Sequence, residues 1–293
     1  MRRKSKSRLQ KNERKYGYLF ISLWFLGIIV FFALPLFQSI YYSFCDVMIT
    51  GEGRQFSFNS GKNYSDIFLI DIYYVRRLLN FLMSTVLRVP LILVLSMVIS
   101  LLLNQPIRFR GFFRTIFFLP VVIISGPVID ELNSQGSTTI PLVSEYGIYQ
   151  LLQNSLPTWM AEPIGNLFSQ LIIILWYTGI PVLIYIAGLQ QIDASLYEAG
   201  RIDGGNSWEL FWKITMPSMK GFTILNGVYL IVFLANSSQN DVINLISRDM
   251  IDPNKGYGYA CAMSWLHAIV VLLLLGIFML LFVSKKRSRR VKQ

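Results

Sequence analysis

Six uncharged stretches, 16–45, 89–107, 115–129, 163–192, 221–240 and 256–284, take up nearly half of this 293-residue chain. A helix crossing a ~30 Å hydrocarbon layer needs roughly 20 apolar residues, and inside lipid it must satisfy its own backbone hydrogen bonds. Four of the stretches have that length as they stand. The second reaches it by extending back to Leu78 through Arg88, and the third by borrowing 111–114. With 54% hydrophobic and 15% charged residues, the chain is predicted to be an all-α integral membrane protein of six transmembrane helices, with the third the shortest.

The formal net charge of +11 would suit a nucleic-acid binder, but its distribution does not. Lysine and arginine number eight in residues 1–17, six in 285–293, three in 104–114 and three in 189–221, while 130–166 has none. This alternation follows the positive-inside rule, and it places both termini and the 189–221 loop on the cytoplasmic side. Six is the even number of spans that such an orientation needs. The expected organisation is a basic tail, 1–17, one membrane domain, 18–284, and a second basic tail, 285–293. The partner of the basic segments is then the lipid bilayer, not nucleic acid. The first apolar run is about twice the length of a signal-peptide core and is expected to remain as an anchor. Cys45 and Cys261 fall near predicted outer helix ends and are expected to be free thiols. The outer segment 46–77 is expected to hold short irregular structure, and 146–154 a short interfacial helix.

Between the fourth and fifth spans lies a polar island, 193–217. Asp193 is placed to cap a helix from Ala194 to Arg201, and Gly204-Gly205 to break it. Asn206 or Ser207 can cap a second helix over 208–216, with Pro217 ending it before the fifth span. Trp208, Phe211, Trp212 and Thr215 recur at helical spacing. On pattern alone, such a helix-turn-helix is as well suited to anchoring the bundle at the headgroups as to contacting a soluble partner.

The particular residues favour the second role. Glu198, Ala199, Asp203, Gly204, Phe211, Ile214 and Pro217 stand at the spacing of the EAA–DG–Pro loop, and the chain resembles the permease subunits of ATP-binding-cassette (ABC) importers. Further segments resemble the maltose-type sugar branch, in particular the first permease of its pair. They are Gly61-Lys62-Asn63-Tyr64, Gly111-Phe112-Phe113-Arg114-Thr115 with Phe118-Leu119-Pro120, Trp176, Ala187-Gly188-Leu189-Gln190 and 258–265. Gly200, Gly205 and Met216 replace the customary alanine, alanine and leucine, and Asp193 stands where proline is common. The two glycines keep the small size but lower helix propensity by up to about 1 kcal/mol each. The resemblance implies that Glu198, Ala199, Gly200, Asp203, Gly204, Phe211, Ile214 and Pro217 form a cytoplasmic coupling loop seated on a separate ATPase subunit. It also implies a second permease subunit and an extracytoplasmic solute-binding protein that delivers a sugar. Neither a cofactor nor a catalytic residue is expected in this chain, which has no G-x-x-x-x-G-K-[ST] phosphate loop.

The fifth span is polar for its depth: Asn226 lies early in it, and Asn236, Ser237, Gln239 and Asn240 crowd its outer end. With Arg88 these are the candidate substrate-pathway residues, since amides and hydroxyls match sugar hydroxyls that both donate and accept. The plainer alternatives are that the amides join neighbouring helices, that the helix ends near Ala235 with an exit loop beyond it, and that Arg88 faces the bundle interior. His267 is expected to be a packed interior residue. A permease for amino acids, peptides or glycerol-phosphate is the nearest alternative function. A secondary transporter is weaker, because the spans carry no aspartate or glutamate for ion coupling.

Overall fold

The computed structural model describes residues 8–50, 53–105, 111–112, 157 and 171–283. Residues 113–129 of the third expected span, the 146–154 helix and the tail 285–293 lie outside them. Helix α1 (Arg8–Ile28) passes through a widened π turn, Ile29–Ala33, into α2 (Leu34–Ser43). Pro35 explains the widening: it has no N–H to return to the preceding turn, and a π turn re-phases the ladder around the gap. Among the described residues, four helices are long and apolar enough to cross a membrane, Tyr16–Ser43, Ile72–Asn104, Ser207–Ala235 and Gly256–Phe282, and the bent pair Gly179–Leu189 with Ala194–Ile202 makes a fifth if counted as one span.

The segment after α2 is more regular than expected. Strands β1 (Cys45–Thr50) and β2 (Gly53–Phe58) form an antiparallel hairpin in register from Cys45–Phe58 to Thr50–Gly53, and α3 (Lys62–Leu69) follows. Gly53, at φ +122°, supplies the left-handed turn. The chain is therefore mostly, not wholly, helical.

Two compact units can be described separately. The first takes in the described residues up to Ile72 with Ile246–Leu266, hence the C-terminal half of α10 (Asp241–Met250) and the start of α11 (Gly256–Val283). The buried Asn63 amide donates to the carbonyls of Ser43 (3.0 Å) and Cys45 (3.1 Å), fastening α3 beneath the hairpin. The indole N–H of Trp265 donates to Ser39 Oγ at 3.2 Å. Cys45 and Cys261 are free thiols.

The second unit holds α4 (Ile72–Asn104) from Tyr73, α5 (Leu171–Tyr177), α6 (Gly179–Leu189), α7 (Ala194–Ile202), α8 (Ser207–Leu210), α9 (Met216–Ala235) and α11 from His267. Its core comes from α4, α5, α6, α9 and α11 and includes Ile92, Ile174, Tyr185, Met219, Leu230 and Leu274. Small residues set the spacing, as in membrane bundles generally. A Cβ at Gly188 would come within 2.7 Å of the Phe222 ring and 2.8 Å of Met219, so α6 and α9 approach as closely as glycine allows. That contact fixes the two ends from which the 193–215 segment hangs.

Candidate functional site

The polar island folds as a capped corner. Asp193 lies outside α7, and its carboxylate accepts the Ser195 backbone N–H at 3.0 Å. That bond, with the Ser195 hydroxyl, holds the carboxyl below its ordinary range. Asn206 caps α8, accepting from Glu209 N at 2.9 Å while Glu209 Oε2 accepts from Asn206 N at 3.4 Å, a reciprocal capping box. Gly204 turns the chain at φ +85°, with nothing within 4 Å of where its Cβ would stand.

The two glycines that replace alanine do not soften this corner. Gly205 N donates to Gly200 O at 2.9 Å, and a Cβ on Gly205 would stand 2.8 Å from that oxygen. Leu210 and Ile214 pack over Gly200, closing a small apolar centre inside the corner. The Tyr197 hydroxyl and Thr215 Oγ1, 2.8 Å apart, join the two arms.

Pro217 does not end the second helix. Helical structure runs without a break from Ser207 to Ala235, with a π turn, Phe211–Thr215, just before Pro217 in the first turn of α9. As at Pro35, the widened turn absorbs the missing N–H. The consequence is mechanical: α8 and α9 form one rod.

Glu198, Ala199, Asp203, Gly204 and Pro217 are exposed, whereas Gly200, Phe211 and Ile214 are partly buried and hold the corner's shape. The exposed face also carries Ile202, at 86% relative exposure, and Trp208, at 68%. Ile202 was legible as an apolar residue between Arg201 and Asp203, and it enlarges the exposed face beyond the motif positions.

The candidate pathway residues divide. Arg88, Ser237, Gln239 and Asn240 line one cavity of about 90 Å³, together with Arg77, Asn80, Phe81, Ser84, Thr85, Tyr177, Leu234 and Asp241. Asn226 and Asn236 are elsewhere. Asn226 is fully buried and donates to Pro181 O at 3.2 Å, tying α9 to α6. Asn236 is exposed just after α9 ends at Ala235, and its amide turns back to Val232 O at 2.9 Å. The polar run is thus an exit loop, and this loop forms a cavity wall. Asn240 Nδ2 donates to Ala235 O at 2.8 Å and its Oδ1 accepts from Val242 N at 3.0 Å. The amide Nε2 of Gln239 is buried without a hydrogen-bond partner among the described residues. Arg77 Nη1 donates to Asp241 O at 3.3 Å. His267 packs its ring edge against Phe81 at 4.9 Å, with Nε2 3.2 Å from Ala235 O, an interior role as expected.

Membrane-length helices carrying an exposed corner and a polar cavity define a multi-pass membrane protein. The chain belongs to the family of binding-protein-dependent transport system inner membrane components, whose model matches residues 73–292. Among its relatives, the lactose transport system permease protein LacF of Rhizobium radiobacter is 29% identical over 227 residues, covering 74% of this chain and 71% of LacF. The multiple sugar-binding transport system permease protein MsmF of Streptococcus mutans is 26% identical over 300 residues, covering 97% and 99%. The arabinooligosaccharides transport system permease protein AraP of Halalkalibacterium halodurans is 29% identical over 220 residues, covering 73% and 66%. A solved bacterial ABC transporter, involved in the import of the acidic polysaccharide alginate, contains a chain that shares the fold. The match has a TM-score of 0.61 at 17% identity and covers 96% of this chain and 100% of that one.

Proposed function

We propose that this chain is a permease subunit of an ATP-driven importer of a sugar or oligosaccharide. It forms the membrane pathway with a second permease, receives the sugar from an extracytoplasmic solute-binding protein and is driven by separate ATPase subunits. The observation that carries this reading is the family match across residues 73–292, whose relatives with named substrates include the sugar permeases above. The corner supports it. A cap at each helix start, a glycine turn and a buried centre make 193–215 stiff enough to pass a displacement into α9 without absorbing it.

In this reading the chain has six spans with both termini cytoplasmic. The exposed Glu198, Ala199, Ile202, Asp203, Gly204 and Trp208 meet the ATPase surface, and Arg88, Ser237, Gln239 and Asn240 face the passing substrate. The chain itself hydrolyses nothing. The test is affinity purification of the full-length chain from its own membrane in mild detergent, then reconstitution of what co-purifies into liposomes. Recovery of a second permease and an ATPase, with ATP-dependent sugar accumulation, is the expected result. A chain that purifies alone and transports without ATP would overturn it.

A further inference from the structure

The cavity of the second unit holds more hydrogen-bond donors than a neutral sugar calls for. Arg77, Ser84 and Arg88 lie on one face of α4, spaced by seven and then four residues, and all three line it. The Tyr177 hydroxyl and the Gln239 amide also line it, and Gln239 Nε2 is buried with no acceptor among the described residues. Formal charges among the described lining residues are two guanidinium groups, Arg77 and Arg88, against one carboxylate, Asp241, an excess of one positive charge.

Neutral sugar hydroxyls donate as readily as they accept, and amides and hydroxyls match them without a formal charge. A guanidinium only donates, in a planar fork whose best complement is a group that only accepts and is itself planar, such as a carboxylate. Holding arginine at this depth is costly and calls for a specific role. The single excess charge suits one carboxylate held in the cavity at a time, as successive singly charged uronide residues would present. A phosphate dianion would leave net negative charge in the cavity with Asp241 beside it, whereas one carboxylate neutralises it.

We propose that this cavity selects a carboxylate-bearing saccharide, a uronide, with the Arg88 guanidinium binding the sugar carboxylate and the Gln239 amide donating to it. This rests on the sugar-permease reading and narrows it. Arg77, tethered to the Asp241 carbonyl, adds field at the rim.

The test uses the importer purified with its native partners and reconstituted in liposomes. ATP-dependent accumulation is measured for digalacturonate, for its carboxyl-reduced counterpart digalactose and for galactose 6-phosphate. Wild type is expected to prefer digalacturonate. Arg88→Gln lowers its uptake about thirtyfold, and Arg88→Lys keeps part of it. Gln239→Met, at a position where folding is less at stake, raises the half-saturating digalacturonate concentration. Digalactose or galactose 6-phosphate as the preferred substrate would overturn the uronide assignment and leave the importer intact, as would Arg88→Gln and Gln239→Met complexes that assemble normally and carry digalacturonate like wild type. Accumulation of none of the three by a complex that hydrolyses ATP also overturns it. Failure of the permease reading would look different: no ATPase would co-purify at all.

Discussion

The hydroxyl of Tyr197 lies 2.8 Å from that of Thr215, joining the first arm of the corner to the π turn that enters α9. Thr215 is 4% exposed, so the bond is shielded from water and worth about 1 kcal/mol. If the corner transmits force, this bond is its strut. Tyr197→Phe is expected to leave the chain inserted and its ATPase partner active while lowering sugar moved per ATP hydrolysed. Thr215→Val added to Tyr197→Phe should cost little more, because both remove the same bond. Fully additive losses of coupling in reconstituted liposomes would show that the two hydroxyls act separately.

Gly204 separates conformation from contact. Its φ of +85° strains any L-residue, yet a Cβ there would touch nothing. Gly204→Ala should therefore cost about 1–2 kcal/mol through the backbone alone, and Gly204→Asn less, since asparagine tolerates the left-handed region. Thermal unfolding in detergent should rank the variants asparagine, alanine, valine from most to least stable. Gly204→Trp should in addition abolish transport by blocking the partner surface, with the protein still in the membrane. Normal uptake by that variant would remove Gly204 from the interface.

The corner was legible because its determinants are local. Asp193, Asn206 and Gly204 each act on residues within three positions, so side-chain chemistry alone announces them. The role of Gly200 and Gly205 was not legible, because it is a packed contact made across the turn. Pro217 looked like a stop, but a π turn one residue upstream accommodates it. The hairpin at 45–58 went unforeseen because its turn lacks the Asn-Gly or Asp-Gly pair that usually marks one. Arg88 and Gln239 line one cavity from some 150 residues apart in sequence, and no local pattern carries that distance. Asn226 shows the converse: an amide that looked like pathway lining satisfies the Pro181 carbonyl instead.

Gly258 and Gly227 make an opposed pair. A Cβ at Gly258 would run into the carbonyl oxygen of Cys45 and come within 3.0 Å of Tyr42 O, both backbone atoms that yield only if the α2–β1 junction shifts. At Gly227 the obstacle is the Phe278 ring, which can swing aside. Gly258→Ala is thus expected to destabilise by about 1–3 kcal/mol as an overpacked site does, and Gly227→Ala by less. Melting temperatures of the purified chain check the order, and equal losses would mean that the junction is more pliant than its hydrogen bonds suggest.

Lys255 provides the pH test. Its ammonium lies 2.7 Å from both Asp71 Oδ2 and Asp249 Oδ2, and Tyr259 donates to the same Asp71 oxygen at 3.1 Å. Burial by itself lowers the lysine's pKa, but the hydrogen bonds and charges of Asp249 and Asp71 outweigh it, and the net direction is upward. A folded pKa above the unfolded value means stability that is fully present below the ordinary lysine range and lost as pH rises through the higher folded value. Lys255→Gln leaves Asp249, buried beside Arg248, without its second cation, and should cost about 1–3 kcal/mol at neutral pH. The gap in melting temperature between wild type and Lys255→Gln should stay level from about pH 6 to 9 and narrow only above about 10, where lysine itself titrates. A gap that closes between pH 6 and 8 would assign the stabilisation to another group and remove Lys255 as the tie between the α3–α4 junction and the end of α10.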